Sequence, residues 1–268
     1  MKNIVLEIND SVAMVKLNRP KQMNALNPEA CAELLEAVRS VEADRSVRCM
    51  IFTAEGKHFA GGADIDDFVR YLEDPDAHLG SIFESNVVRD ANQFCQAVTR
   101  MPIPVISSLR GYVIGGVLGL ALTADFVLAS DTTVMVPAHI KLGMSPDGGL
   151  SYHLSRMGGS QWAKYKLMLG EAINAQEALQ KGLLTRLVPD ADLESATREL
   201  AEKLARQPRT AVRHIKTLVN RAPSNTLSEH LQLEAEYLAA SVMDDDFREG
   251  VDAFVNKREP RFASGDDI

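Results

Sequence analysis

Two glycine-rich stretches and one tight acidic loop hold the residues of this chain that could do chemistry. The first stretch is His58-Phe59-Ala60-Gly61-Gly62-Ala63-Asp64-Ile65, and the second runs from Gly111 to Gly119. Each lies between a β-prone run and a helical pattern. Glycine there lets the backbone approach a ligand closely and take positive φ. The helix after each stretch presents free N–H groups at its partly positive end. Two such N–H groups aimed at one point would hold an oxyanion. Neither stretch has the glycine spacing of a phosphate loop or a dinucleotide fingerprint, so a nucleotide site is not indicated.

The acidic loop is Ser145-Pro146-Asp147-Gly148-Gly149. Its Pro and Gly residues restrict the backbone, so the Asp147 carboxylate would be held in place for acid–base work. Asp before Gly also commonly bonds its own backbone in an Asx turn, and both readings stand. His139 lies upstream; imidazole titrates near neutrality and suits proton transfer, or is simply a polar side chain at a strand edge. Ser107 and Ser108 fall on a strand-like run without a nucleophile elbow, which speaks against a Ser-His-Asp hydrolase. Cys31, Cys49 and Cys95 are odd in number and widely spaced, so neither a disulfide framework nor a structural zinc is expected.

The elements that must position these groups can be read from periodicity and punctuation. Ile4–Ile8 and Val12–Leu17 read as a hairpin, and Asn27-Pro28-Glu29 opens a helix with Asn as cap and Pro at its first position. Val47–Thr53 reads as a strand, Asp64 as the start of a helix, Ser81–Arg100 as one long helix, and Val105–Leu109 and Phe126–Ala129 as strands. Strand, glycine loop and helix recur at about fifty-residue spacing, the pattern of repeated ββα-like units. Beyond Asp190 only helical patterns occur, which divides the chain into a core at 1–190 and a helical region at 191–268. The tail Arg261–Ile268 reads as disordered.

Composition restricts the partners. The 268 residues are 46% hydrophobic and 25% charged, as in an ordinary globular chain. A net charge of -8 leaves no overall basic footprint for nucleic acid. The uncharged run Gly111–Ala124 is shorter than the roughly 20 residues of a membrane helix and is broken by glycines. The N-terminus has no signal-peptide pattern. A cytoplasmic protein is expected.

Taken in order, LNRPKQMNAL (17–26), FAGGADI (59–65), GYVIGG (111–116), MSPDGGLSYHLSRMGG (144–159), GEAINAQEALQKGLLTRLVP (170–189) and FVNKREPRF (254–262) resemble the enoyl-CoA hydratase/isomerase, or crotonase, superfamily along nearly the whole chain. The resemblance implies an α/β fold, a spiral of ββα units with a C-terminal helical trimerisation region, assembled as a homotrimer or homohexamer. It implies an acyl-CoA thioester substrate, with no cofactor besides the coenzyme A of that substrate. The thioester oxygen would accept from the N–H groups of Ala63 and Gly116, at the positions that match the family's oxyanion hole. Lys57, Ala60, Gly61, Asp64, Ile65 and Lys257 would contact substrate; Phe68 and Tyr71, one and two turns into the helix after Asp64, and Met144 either line the acyl pocket or pack in the core. Arg19, Lys21, Lys57, Lys257 and Arg258 are the candidates for the CoA phosphates. One departure matters. Family hydratases carry two glutamates that handle water, and ungapped alignment puts Gly119 and His139 at those positions. The expectation is therefore an isomerase that shifts a double bond, with Asp147 as the principal acid/base. A hydratase using Asp147 or His139 and a catalytically inactive acyl-CoA-binding protein are the alternatives.

Overall fold

The structure is a computed structural model that describes residues 1–262, with only the backbone described at Phe83, Asn86 and Val87. Most of the tail expected to be disordered, residues 263–268, lies outside the described residues.

The chain starts with strands β1 (Ile4–Asn9) and β2 (Val12–Leu17), paired antiparallel, and helix α1 (Pro28–Ala43). The Asn27 side chain accepts from the Ala30 N–H, the expected cap. Strand β3 (Cys49–Ala54) and helix α2 (Ile65–Glu73) come next, the latter capped by Asp64. The expected single helix over Ser81–Arg100 is instead α3 (Leu79–Ile82), a π turn (Phe83–Val88) and α4 (Arg89–Arg100). A π turn shifts the helical phase of the residues after it, and both Val88 and Ala91 line a cavity between the glycine loops.

Beyond α4 lie β4 (Val105–Leu109), β5 (Tyr112–Ile114), α5 (Gly116–Leu122), β6 (Phe126–Ser130) and β7 (Val134–Val136). A 3-10 turn (Ala138–Leu142) leads to α6 (Leu150–Gly158), α7 (Ser160–Leu169), β8 (Ile173–Asn174), α8 (Ala175–Gln180) and β9 (Arg186–Val188). The last helices are α9 (Leu193–Ala205), α10 (Arg209–Arg221), α11 (Leu227–Ser241) and α12 (Asp245–Val255). No helix among the described residues is long and apolar enough to cross a membrane.

One sheet has the order β1-β2-β3-β4-β6-β9, parallel from β2 onward, and a second has the order β5-β7-β8. The ββα unit is explicit in this topology. β4 sits in the first sheet, β5 in the second, and α5 closes the unit; β6, β7 and α6 repeat it. The glycine stretch read as one turn from 111 to 119 therefore contains a strand. Three residues are too few to show period-two alternation. The first glycine stretch does the same in miniature, for Ala60 bridges Val113 of β5.

The main core lies between the first sheet and the helices α1, α4, α5 and α6. A second apolar cluster covers the sheet's opposite side, where Leu193, Ala196 and Ala201 of α9 pack on Cys49, Ile51, Ile106 and Leu128. A boundary at 190 thus runs between the sheet and one of its own cover layers. Asp125 is structural: Lys216 of α10 meets its Oδ2 at 2.7 Å and the Val105 N–H donates to the same oxygen at 2.8 Å. Burial pushes that carboxyl above the ordinary range in spite of Lys216.

Candidate active site

The first glycine loop is held from behind by residues 19–26. The buried Asn24 side chain donates to the carbonyls of Glu55 (2.9 Å) and His58 (3.0 Å) and accepts from the Arg19 N–H at 2.8 Å. The Gly61 N–H donates to the Met23 carbonyl at 2.6 Å. Leu26 then bridges the loop, donating to the Gly62 carbonyl and accepting from the Asp64 N–H. In an extended segment alternate N–H groups point to opposite sides, so the Ala63 N–H faces away from Leu26. Gly116 begins α5, where N–H groups have no partner within the helix. The two loops are stitched together, Ala60 donating to the Tyr112 carbonyl and accepting from the Ile114 N–H, both at 3.0 Å.

Between them opens a cavity of about 660 Å3. Of the residues expected at the site, Gly61, Ala63, Ile65, Phe68, Gly116, His139, Met144 and Asp147 line it. Among the described residues, Asp147 is the one carboxylate that lines it.

His139 and Asp147, read in sequence as separate candidates, are joined. The His139 Nε2 lies 2.9 Å from Asp147 Oδ1. A carboxylate only accepts, so Nε2 carries the hydrogen and donates. His139 is 8% exposed, and its buried Nδ1 has no hydrogen-bond partner among the described residues. The Asp147 side chain keeps 32% of its surface. Its bond runs to His139 and not to the backbone of its own turn.

The loop around Asp147 presses onto α5. A β carbon on Gly116 would lie 3.0 Å from Asp147 Cγ and closer still to Oδ1. One on Gly119 would lie 2.8 Å from both the Gly148 carbonyl carbon and the Leu150 nitrogen, and would overlap the Gly148 carbonyl oxygen. Position 119 cannot hold a side chain without moving the acidic loop.

Other expected contacts lie elsewhere. Ala60 is fully buried and both its backbone polar groups are spent on β5, so a ligand cannot use them. Asp64 caps α2 and meets Arg19 Nη2 at 2.8 Å; the pair is mostly buried. Arg19, whose guanidinium also donates to the Ala25 carbonyl, is therefore turned inward and committed within the protein. Arg258 is likewise committed, to Glu249 at 2.7 Å and Asp252 at 2.6 Å. Lys21, Lys57 and Lys257 are exposed, and Tyr71 is half-buried on α2; none of them lines the cavity. Ser107 and Ser108 are buried, bonded to the Ala121 carbonyl and to Thr197.

Sequence reading missed three groups. Cys31 lines the cavity, its thiol pushed up to about 12 by burial and then by the Asp90 and Asp147 charges. Lys141 stands at the wall, and Asn24 locks the loop from behind. A buried Asn between two turns carries a sequence signal only when its carbonyl partners are known.

The family description "Enoyl-CoA hydratase/isomerase" matches residues 7–265. The chain belongs to this family. It is 34% identical to the 1,2-epoxyphenylacetyl-CoA isomerase of Escherichia coli, over 98% of each chain. It is 32% identical to the trans-2-decenoyl-[acyl-carrier-protein] isomerase of Streptococcus mutans, covering 97% of this chain and 98% of that one. A crystal structure of an enoyl-CoA hydratase from a Polaromonas species superposes with a TM-score of 0.90 at 29% identity, covering 97% of this chain and 99% of the other. The family and the ββα spiral expected from the motifs thus hold, and the protein is an enzyme of the hydratase/isomerase class.

Proposed function

We propose that this enzyme isomerises an enoyl-CoA, with Asp147 as the acid/base. What carries the reading is that, among the described residues, Asp147 is the one carboxylate lining the cavity, while the space beside Gly119 is taken by the Gly148 backbone. A water-adding mechanism with two acids has no place for its first. The relatives named as isomerases support the same class.

In this reading the thioester oxygen accepts from the Ala63 and Gly116 N–H groups. Asp147 takes a proton from one carbon of the acyl chain, the electron pair moves onto that oxygen as a dienolate, and Asp147 returns the proton two carbons away. The atoms balance without water. Preorganised donors at the developing charge supply most of the stabilisation. His139 holds Oδ1, so Oδ2 is the oxygen left for the proton. His139 itself acts by positioning: its Nε2 faces Asp147, and its Nδ1 is buried.

The test is reaction of a 3-enoyl-CoA in deuterium oxide, monitored by mass spectrometry. Deuterium uptake with double-bond shift and no added water supports isomerisation. Gain of one water by a 2-enoyl-CoA at a comparable rate makes hydration the activity, with the His139–Asp147 pair activating water. Tight thioester binding with neither outcome leaves a binding protein.

We also infer that the enzyme is a homotrimer or homohexamer joined through α10–α12. Ile215, Val219, Leu238 and Phe254 are all more than half exposed, and Phe254 keeps 86% of its surface. Apolar area on that scale marks an interface.

A further inference from the structure

The cavity's residues separate by burial into a mouth and a floor. Ile65, Lys141, Leu142 and Ser145 are exposed and frame the mouth. Leu26, Cys31, Ala91, Val117 and Leu120 are buried and form the floor. His139 is buried as well, but its Nε2 is bound to Asp147; of the other buried side chains described in the lining, the Cys31 thiol is the one polar group, a weak hydrogen-bonding group that behaves as a small hydrophobe. Cys31 on α1 and Ala91 on α4 are also small side chains on two helices that pack against each other, so the floor is set back where they meet.

We infer that the substrate carries an apolar acyl group longer than four carbons, in keeping with the predominantly apolar lining of a cavity of this size, and that Cys31 and Ala91 set its length. The inference rests on reading the cavity as the acyl-CoA site. A four-carbon acyl group held at Ala63 and Gly116 would leave the floor bare, forfeiting the contacts its side chains offer. Each methylene laid on such a surface favours binding by about fourfold. A hydroxyl at the far end would meet no strong partner and would be rejected, because a buried unpaired hydroxyl is costly.

The experiment measures the affinity of the intact protein for saturated butyryl-, hexanoyl-, octanoyl- and decanoyl-CoA, and for an octanoyl-CoA hydroxylated at its last carbon. Affinity should rise by about fourfold per methylene up to at least octanoyl, and the hydroxylated thioester should bind at least tenfold more weakly than octanoyl-CoA. Ala91→Phe should lower the octanoyl-to-butyryl affinity ratio at least tenfold. The smaller Ala91→Val should move the ratio the same way to a lesser degree, which keeps the test valid if the Phe variant fails to fold. A flat series, or a ratio that neither variant changes, overturns the inference. The two readings fail separately. Length-dependent affinity without any double-bond shift removes the isomerase alone. Isomerisation with a flat affinity series removes the acyl-size assignment alone.

Discussion

Gly119 and Gly148 share one space: a β carbon on the first would overlap the carbonyl oxygen of the second. The acidic loop that carries Asp147 therefore sits where a side chain on α5 would otherwise project. Gly119→Ala should force the loop away, destabilising the protein by about 1–3 kcal/mol as overpacking does and displacing Asp147 from Gly116. A lower melting temperature together with at least tenfold slower turnover is expected. A variant with normal melting and normal turnover would show that the loop yields freely.

Asp147→Asn keeps the shape of the side chain and removes its capacity to take a proton. Turnover should fall by at least ~10²-fold, the usual worth of a general acid–base group, while acyl-CoA affinity is retained. Calorimetric binding beside a turnover assay separates the two. Near-normal turnover would transfer the role to another group.

His139 acts on the reaction through the orientation of Asp147, so its variants should track hydrogen-bonding capacity. His139→Ala removes the donor and should lower kcat about tenfold or more with little change in KM. His139→Gln offers an amide N–H on a similar reach and should recover a good part of the loss. Equal damage from both substitutions would assign His139 a packing role only.

His153 gives stability a pH dependence. Burial, with repulsion from Arg156 adding to it, pushes its imidazole from 6.5 down to about 4. The folded ring stays neutral where the unfolded one takes up a proton. Stability from this group is thus full above about pH 6.5 and is lost as pH falls toward 4, by on the order of 2–3 kcal/mol. Urea melts across that window should show the loss. The His153 Nε2 lies 3.1 Å from Thr123 Oγ1; His153→Gln, which can still meet that hydroxyl, should flatten the curve, and an unchanged acid slope would place the effect in another group.

Leu238→Glu combined with Phe254→Glu should break self-association through α10–α12, since charges on an apolar face carry a large desolvation cost. Light scattering after size exclusion should give a multimer for the natural chain and a monomer for the variant. A natural chain that runs as a monomer would refute the interface.

Much of this architecture was legible in order and spacing. The Asn27-Pro28 helix start, the Asp64 cap and the strands at β2, β3, β4 and β6 come from local rules, because capping and apolar periodicity act within a few residues. The strands of the second sheet were not legible. β5 and β7 have three residues each and β8 has two, and pairing partners distant in the chain define them. The π turn before α4 was hidden for another reason: its i→i+5 bonding shifts the helical phase by one residue and leaves a helical apolar period on either side.

The sequence by itself determined the family, the two glycine loops and the presence of Asp147 in a rigid turn, since each is a property of contiguous residues. Only the tertiary structure decided what those residues face. It joined His139 to Asp147 across eight positions of chain, turned Arg19 inward onto Asp64, and brought α1 and α4 together to form a floor at Cys31 and Ala91. Side-chain roles of this kind depend on what packs opposite, and packing partners come from elements far apart in sequence.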